Sequence, residues 1–341
     1  MAFYDNLKLE KGMYNLDFTK TLEDLDPSEN YEGTELAGLD AYERQLNRFG
    51  IRVSGQNSDT VESFFKATDS AVLFPEYVRR AVKQGMEESN TLSSIVATVT
   101  NINGNDYRTI VATDDSSVSN ATTEGSNLPA TTINQKGTLV TMKKRGRLLK
   151  TSFEALRLKR LDLFTVTLKQ IGAYIARAQL GDAVSVLVSG DNGAGAANSS
   201  EAAETVNVVS SKGVAYTDLL ALWSGLLPYK LNTIIADAAS IKDLLSIKEM
   251  ADSQAGLNFQ GSGQMITPLG ANLICASAAG TRKLIGMDKT CALEMVTAGD
   301  LVIDCDKLID AQLEKASISS TAGFAKVFKD AVKILTYNAT T

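Results

Sequence analysis

Histidine is absent from the 341 residues of this chain, and cysteine, proline and tryptophan are scarce, at three, five and one residues. Without histidine the chain has no Ser-His-Asp or Cys-His nucleophile arrangement, and it lacks the commonest general base and metal ligand. These absences argue against catalysis. We therefore expect a protein that is not an enzyme and that uses no cofactor or metal.

The few cysteines and the lack of long apolar runs bound the compartment. Cys275, Cys291 and Cys305 are odd in number and widely spaced, which favours reduced, buried thiols over a disulfide framework or a zinc site. No apolar run approaches the roughly 20 residues that a membrane span needs. The N-terminus lacks the basic flank and apolar stretch of a signal peptide. We expect a cytosolic chain without membrane association.

Charge is present in ordinary amount but is unevenly distributed. Residues 1–70 carry 7 Lys or Arg against 14 Asp or Glu, and residues 294–315 carry six acids against two lysines. Residues 143–160 are basic, with Glu154 as the one acid. The basic residues of this block are Lys143, Lys144, Arg145, Arg147, Lys150, Arg157, Lys159 and Arg160. Opposite charges in separate regions suggest pairing, within one chain or between copies.

The N-terminal third changes from an extended arm to short helices and then to strands. The first 35 or so residues are polar and read as an arm. Short helices are predicted near residues 36–49, near 58–65 with Ser58 or Asp59 as the cap, and from Pro75. Strands are then predicted at residues 95–102, 107–112 and 138–142. Between the last two, residues 113–132 form a long polar loop, either a floppy surface loop or a hairpin that packs on another subunit.

The remainder of the chain opens with one long helix and continues as an α/β pattern. A single apolar stripe from Leu161 predicts a helix of about 28 residues, more than twice the usual length, which ends at Gly190. After a Gly/Ala/Ser-rich linker, helices capped by Thr217 and Ser240 alternate with strands at residues 232–236 and 271–277. Further strands are predicted at residues 293–296, 301–305 and 309–314.

Two other motifs are weak. The glycine-rich residues 190–198 follow a helix and do not join a strand to one, so a dinucleotide-binding loop is excluded by context. Asp304, Asp306 and Asp310 lack the spacing of a calcium loop and are read as a solvated acidic strand face. Three interpretations of the basic block stay open: contact between subunits, a solvated helix start, or non-specific attraction of nucleic acid.

This order of elements resembles the major capsid proteins of tailed bacteriophages, with the Hong Kong ninety-seven type fold. The resemblance rests on "LFPEYVRRAVKQG" at residues 73–85, the long polar hairpin, the long helix and the Gly/Ala-rich hinge. It implies an α+β fold with an N-arm, an E-loop hairpin, a peripheral domain with a long spine helix, and an axial domain. The implied divisions are the N-terminal arm with short helices (1–72), the first part of the peripheral domain (73–103), the E-loop (104–142), the peripheral domain with spine helix and linker (143–213), the axial domain (214–281) and the return strands with the C-terminus (282–341).

The resemblance also implies a function. We expect a structural protein that self-assembles into pentamers and hexamers of an icosahedral head shell enclosing phage DNA, located in the virion and assembled in the bacterial host cytoplasm. The alternative with the same fold is an encapsulin-like nanocompartment, and a distant alternative is an α/β enzyme built on residues 214–281. The implied partners are further copies of the chain, double-stranded DNA bound non-specifically, and scaffolding, portal and decoration proteins. The eight basic residues are then expected to contact acidic segments of neighbouring subunits.

Overall fold

A computed structural model describes residues 8–9, 18–104, 106–114, 124, 131–152, 158–191, 201–208, 210–251, 266–267, 269–308 and 313–339. The chain divides into two compact units. The first comprises Met1–Asn90, Gly146–Ala176 and Leu301–Ser320, and the second comprises Thr91–Arg145, Arg177–Asp300 and Thr321–Thr341. Three of the boundaries between the units fall inside secondary-structure elements.

The described residues form α-helices and strands that alternate in mixed order along the chain. The helices are α1 (Phe18–Leu25), α2 (Ala41–Arg48), α3 (Thr68–Ala71), α4 (Phe74–Glu88), α5 (Leu161–Ser189), α6 (Tyr216–Leu226), α7 (Ala238–Leu245) and α8 (Lys248–Ala251). The strands are β1 (Thr98–Ile102), β2 (Ile110–Asp114), β3 (Thr131–Gln135), β4 (Met142–Ser152), β5 (Glu204–Val206), β6 (Thr233–Ala236), β7 (Asn272–Cys275), β8 (Lys283–Met287), β9 (Leu293–Ala298), β10 (Val302–Leu308), β11 (Leu313–Lys326) and β12 (Val332–Thr336). The α+β class is confirmed.

The first unit is built around aromatic side chains that α4 and α5 bring together. Phe74 and Tyr77 of α4 stack on Phe164 of α5, each with ring centroids 6.3 Å from it. Phe64, from the short turn of 3-10 helix at Val61–Phe65, packs against the rings of both α4 residues. Rings in offset or tilted contact at such distances contribute packing and a favourable quadrupole interaction. This aromatic cluster fixes the N-terminal half of α5 in the core of the first unit.

Two glycines let α4 and α5 approach each other at backbone distance. A Cβ atom placed on Gly85 would lie 2.2 Å from the carbonyl oxygen of Lys169, and one on Gly172 would lie 2.1 Å from that of Val82. Any larger residue at either position would push the two helices apart. The glycines therefore set the distance between α4 and α5.

The extended conformation predicted for the first 35 residues is wrong where the structure describes them, because residues 18–25 form α1. Phe18 and Leu22, spaced four apart on α1, are buried in the core of the first unit. Asp26 accepts a hydrogen bond of 2.9 Å from Nε of Arg44, a residue of α2 that is fully buried. A buried guanidinium needs such a partner. The i, i+4 pair of apolar residues was the sequence signal for a packed helix.

The second unit contains a five-stranded mixed sheet in the order β5-β12-β8-β6-β7. Helix α6 packs on this sheet through Leu219, Leu222 and Leu226, all fully buried. Also in the second unit, β1 pairs in parallel with β9, and β9 pairs antiparallel with the last residues of β11. The strands at residues 232–236, 271–277 and 293–296 are confirmed, and the ambiguous C-terminal segment contains β12.

Several local expectations are corrected. The strand expected at residues 138–142 lies later, because β4 begins at Met142 and carries most of the basic block. Helix α6 begins after Ala215 and α7 after Asp237, which accepts a hydrogen bond from the backbone N–H of Ser240. Thr217 and Ser240 therefore lie inside the helices. The residues proposed at 309–312 lie outside the described part of the chain.

The predicted long helix is confirmed as α5, with 29 residues from Leu161 to Ser189. Gly190 follows it with φ of +73°, the left-handed conformation that ends many helices. Among the described residues it is the one helix long and apolar enough to cross a membrane by length and composition, which was not predicted from the sequence. In its most apolar window, 61% is buried inside the protein, as in a core helix.

The thiols are less uniform than expected. Cys275 is exposed at the end of β7, and Cys291 is half-buried. Both are free thiols. Burial raises the pKa of Cys291, with the Asp288 carboxylate adding to the effect. The prediction of buried cysteines is therefore wrong for Cys275.

Candidate assembly surfaces

The basic residues at the start of β4 converge on one carboxylate of the long helix. Arg145 donates to Asp182 through Nε and Nη2, at 2.7 and 2.6 Å, and Nζ of Lys143 lies 3.2 Å from Asp182 Oδ1. The three residues belong to the second unit. Lys143 and Arg145 alternate with Lys144 along the strand and therefore point to the same side. Both cations are held inside their own chain.

Asp182 is buried, with 7% of its surface exposed. Burial alone would raise its pKa, but the hydrogen bonds from Arg145 and Lys143 outweigh burial and hold the pKa of Asp182 below its ordinary value. The carboxylate is thus charged and its two cations are oriented by it. The ion pair fixes β4 to α5 within the second unit.

Two further members of the basic block have partners within the first unit. The guanidinium of Arg147 lies 3.7 Å from the centre of the Tyr174 ring, a cation–π contact at the surface. Arg160 donates to the backbone carbonyls of Gly55 and Gln56, at 3.0 and 2.6 Å, and so holds the loop before Val61. The guanidinium groups of Arg147 and Arg160 therefore have partners within their own chain, whereas the sequence suggested that they contact a neighbouring copy.

The remaining basic residues divide by exposure. Lys144 and Lys150 on β4 and Lys159 before α5 are exposed. Arg157 lies outside the described residues. The basic block therefore begins in a strand and not at the start of a helix. Within the described residues, the side chains of Lys144, Lys150 and Lys159 face solvent and have no hydrogen-bond or ion-pair partner.

A second surface is the hairpin formed by β2 and β3. Within the described residues these strands pair only with each other, with Ile110 opposite Gln135. Ile133 lies two residues before Gln135 and therefore on the same face as Ile110. The two isoleucines are 49% and 65% exposed. The hairpin thus presents an apolar face that the described residues leave exposed.

The base of this hairpin is anchored by a buried acid, Glu294 of β9. Its carboxylate accepts hydrogen bonds from the hydroxyls of Thr100 and Tyr107, at 2.7 and 2.6 Å, and from that of Thr109. Burial and the neighbouring carboxylate raise the pKa of Tyr107. Glu294 is therefore buried and hydrogen-bonded, and it does not belong to a solvated acidic face, although it is one of the six acids of residues 294–315.

A cluster of two lysines and one acid lies at the other side of the hairpin base. Nζ of Lys136 donates to the Glu201 carboxylate at 2.6 Å and to the backbone carbonyl of Lys326 at 3.3 Å. Nζ of Lys326 donates to the backbone carbonyl of Glu201 at 2.7 Å. Lys326 is 2% exposed, and its burial lowers its pKa to about 8. The cluster joins the end of β3 to the end of β11.

A third surface runs along the first half of α5, in the first unit. Leu163, Val166 and Tyr174 are 61%, 54% and 40% exposed and lie on one side of the helix. The opposite side carries the predicted buried stripe of Leu161, Phe164, Leu168 and Ile175. The exposed side was not predicted from the sequence, although apolar residues outside the buried stripe were its signal.

The acidic residues proposed as a solvated strand face are only partly described. Asp304 is exposed, whereas Asp310 lies outside the described residues and the side chain of Asp306 is not described. In the part of the chain that the structure describes, no group of three or more Cys, Asp or Glu residues is arranged to hold a metal ion.

No protein-family model matches this chain, and no curated protein matches it. Solved structures do. A virus-like particle from Pyrococcus furiosus matches with 13% identity and a TM-score of 0.52, over 76% of this chain and 98% of that one. The capsid of a native GTA particle matches with 16% identity and a TM-score of 0.54, over 74% and 91%.

A structure from Gordonia phage Cozz matches with 14% identity and a TM-score of 0.50, over 73% of this chain and 87% of that one. Sequence identities of 13–16% with these structures show a shared fold alone. The helices and mixed sheets of this chain match the overall fold of these structures over about three quarters of its length. The chain has the Hong Kong ninety-seven type fold, the fold of the major capsid proteins of tailed bacteriophages.

Proposed function

We propose that this chain is a structural shell protein that self-assembles from many identical copies. The observation that carries the proposal is the β2–β3 hairpin, whose exposed Ile110 and Ile133 share one face. A two-stranded hairpin is at best marginally stable alone in water. A hairpin with an apolar face gains stability when that face is buried against another surface. The shells of similar fold support a further copy of the chain as that surface.

Apolar burial supplies the affinity in this proposal. The hairpin face and the α5 face of Leu163, Val166 and Tyr174 are each small, but one copy presents both. Burial of apolar surface contributes about 25 cal/mol per Å². Stable interfaces bury roughly 800 Å² on each partner. Because each face alone falls short of that area, contacts with several neighbours must add up, which favours a closed shell over a simple dimer.

We further propose pentamers and hexamers that form an icosahedral head shell around phage DNA, in the virion, with assembly in the host cytoplasm. The capsid of the GTA particle, which was computed with C5 symmetry, supports rings of five for the fold. The alternative is a nanocompartment around a protein cargo. The contents of purified particles distinguish the two, since DNA supports the head shell and an enclosed protein supports the compartment.

The divisions implied by the resemblance stay a proposal. In it, residues 1–72 are the N-terminal arm, 104–142 the E-loop and 214–281 the axial domain. Residues 73–103, 143–213 and 282–341 together form the peripheral domain. The β2–β3 hairpin falls within the proposed E-loop, and α5 falls within the proposed spine segment.

The basic block keeps a reduced role in this proposal. Lys143 and Arg145 hold Asp182, so contact with neighbouring copies is assigned to Lys144, Lys150 and Lys159, which are exposed. Exposed ion pairs contribute only about 0–1 kcal/mol each. Their effect is therefore on the rate and register of assembly more than on affinity.

The test is electron microscopy and sedimentation of the purified chain and of two lysine variants of the hairpin. Ile133→Lys places a charge on the apolar face, and Asn134→Lys places the same charge on the opposite face, one residue away. Both positions are exposed in the single chain, so both variants are expected to fold. We expect shells from the wild type and from Asn134→Lys, and free subunits or small oligomers from Ile133→Lys.

Two results would contradict the proposal. A wild-type chain that stays monomeric or dimeric at all concentrations would remove the shell function. Normal shells from Ile133→Lys would leave self-assembly intact but show that the hairpin face is not an interface. Circular dichroism of both variants separates a loss of assembly from a loss of folding.

A further inference from the structure

Helix α6 in the second unit has two unlike faces. Leu219, Leu222 and Leu226 are fully buried in the core beneath the helix. On the other side, Leu220 and Trp223 are 39% and 43% exposed, and Leu227, just after the helix, is 56% exposed. Positions 220, 223 and 227 follow the three- and four-residue steps of one helix side. They form a continuous apolar ridge, referred to below as the α6 ridge.

The stretch that carries the α6 ridge is free of charge. Residues 219–229, "LLALWSGLLPY", contain no Asp, Glu, Lys or Arg, although 22% of the chain is charged. Exposed helix sides in water normally carry charged residues, whereas the centres of protein interfaces are depleted of charge and enriched in tryptophan. Trp223 is also the chain's single tryptophan. The composition of the ridge is thus that of an interface centre.

We propose that the α6 ridge is a contact surface between copies of this chain and that Trp223 is its central residue. This inference rests on the proposed shell function and adds the α6 ridge to the hairpin face and the α5 face as a further apolar contact surface. The ridge meets a different surface of the neighbouring copy, because contacts between neighbours around a rotation axis of order above two join two unlike patches.

The size of the α6 ridge argues for a second copy over an unrelated partner. Three partly exposed side chains offer roughly 300 Å², well below the roughly 800 Å² per partner of a stable interface. An isolated partner protein would not be held by so small an area. A neighbouring copy in a shell is held by the hairpin and α5 faces as well, so the ridge needs to supply only part of the contact. Its lack of charge also matches no charged ligand.

Tryptophan fluorescence of the wild type tests the inference directly. Since Trp223 is the single tryptophan, its emission reports on this surface alone. We expect the emission to shift to shorter wavelength and quenching by acrylamide to fall about threefold or more when free subunits become shells, because the indole leaves water. Unchanged emission and quenching in complete shells would overturn the inference, while the shell function would stand.

Variants of neighbouring positions give the second test. Trp223→Glu places a charge on the ridge, and Ser224→Glu places the same charge on the next, also exposed, residue of the helix. We expect Trp223→Glu to raise the concentration needed for assembly about tenfold or more, as for a central interface tryptophan. Ser224→Glu and Trp223→Phe are expected to assemble near the wild-type concentration. Equal assembly of the two glutamate variants would overturn the inference.

The outcomes separate the two proposals. If the wild type forms no shells, the proposed function fails and the inference with it. If the wild type forms shells and Trp223 stays in water, only the inference fails. If Trp223→Glu does not fold, the fluorescence of the wild type still decides.

Discussion

Asp182 is the residue on which the pairing of two basic side chains depends. Its carboxylate is buried and accepts hydrogen bonds from Arg145 and Lys143, which are 41% and 35% exposed. Removing one member of a buried pair usually costs 3–5 kcal/mol, roughly. Because both cations reach solvent, the cost here is smaller. The ion pair therefore stabilises the second unit, whereas Lys143 and Arg145 were predicted from the sequence to contact neighbouring subunits.

We expect Asp182→Asn to lower the free energy of unfolding by about 2 kcal/mol at neutral pH, because two cations lose their partner. The lowered pKa of Asp182 means that its contribution is complete above the ordinary Asp pKa of about 4 and is lost as pH falls through the lowered pKa. The difference between wild type and variant should then close in strong acid. Urea unfolding at several pH values measures it.

Asp162→Asn is the matched control on the same helix. Asp162 and its partner Arg160 are 42% and 47% exposed, so this change should cost no more than about 1 kcal/mol. Equal losses from Asp162→Asn and Asp182→Asn would mean that burial of the Asp182 pair does not matter.

Lys326 makes an alkaline counterpart to Asp182. Its ammonium is buried, faces Glu201, Lys136 and Lys329, and has a pKa of about 8. In the unfolded chain a lysine titrates near pH ~10.4. Between these values the unfolded chain binds more protons than the native chain, so the contribution of Lys326 to stability rises with pH. Below pH ~8 the buried charge destabilises the fold in full.

We expect Lys326→Met to stabilise the protein by about 2 kcal/mol at pH 7, because it removes a buried charge of which only part is compensated. The advantage should shrink by about 2 kcal/mol by pH ~9.5, where the native lysine has lost its proton. Denaturant unfolding at both pH values measures this. The exposed Lys329 serves as control through Lys329→Met, which should leave stability nearly unchanged. An advantage of Lys326→Met that grows with pH would contradict the assignment.

At the scale of elements, the crossing of α4 and α5 depends on the absence of side chains. Gly85 and Gly172 bring backbone atoms of one helix within about 2 Å of where a Cβ of the other would lie. Alanine inside a helix is normally better than glycine by about 1 kcal/mol. At these positions the gain is outweighed, since the clash is with backbone and the helices must separate.

We therefore expect Gly172→Ala to destabilise the protein by about 2–3 kcal/mol, as over-packing in a core does. Gly181, on the same helix, is the control: a Cβ there would meet the Cβ of Ala278 at 3.8 Å, an ordinary contact. Gly181→Ala should stabilise by about 0.5–1 kcal/mol. Thermal melts of both variants give the comparison. Two changes of the same sign would show that the close approach does not decide the effect.

The elements that could be predicted from the sequence are those with a strong local pattern. The buried stripe of α5 and its end at Gly190 follow from periodicity and from one glycine. The capping box of Asp40 and Glu43 on α2 was equally local but was overlooked. The start of β4 was misplaced because its basic residues show no apolar alternation. Local propensity has no means of detecting the pairing of β4 with β11.

The candidate sites were less predictable than the elements, for a physical reason. The basic block was visible as composition, but its partners Asp182 and Tyr174 lie more than 25 positions away in the sequence. Likewise, Glu294 looked like one acid among six until the structure brought hydroxyls of residues 100–109 onto it. Long-range contacts within the chain decide which charged side chains stay available to a neighbouring copy, whereas the composition of the sequence includes every charged residue.

At the scale of the whole molecule, assembly must overcome like charge. Every copy carries a formal charge of -6, so copies repel one another on average, and added salt weakens that repulsion. The proposed contacts of Lys144 and Lys150 act in the opposite sense, because they attract acidic segments of a neighbour. The two effects differ in range and in sign. Salt dependence of the assembly rate therefore distinguishes steering by specific charges from general repulsion.

We expect the initial rate of wild-type assembly, followed by light scattering, to fall about tenfold when salt rises from ~0.01 to ~0.1 M and the Debye length shortens from ~30 to ~10 Å. Reversing Lys144 and Lys150 together to Glu should slow assembly at low salt and turn the dependence around, so that salt accelerates it. Reversing Lys212 and Lys329, two exposed lysines outside the basic block, adds the same charge and should keep the wild-type trend. Should the wild-type rate rise with salt, or should both double variants behave alike, steering by β4 is wrong, and assembly would then depend on the apolar faces alone.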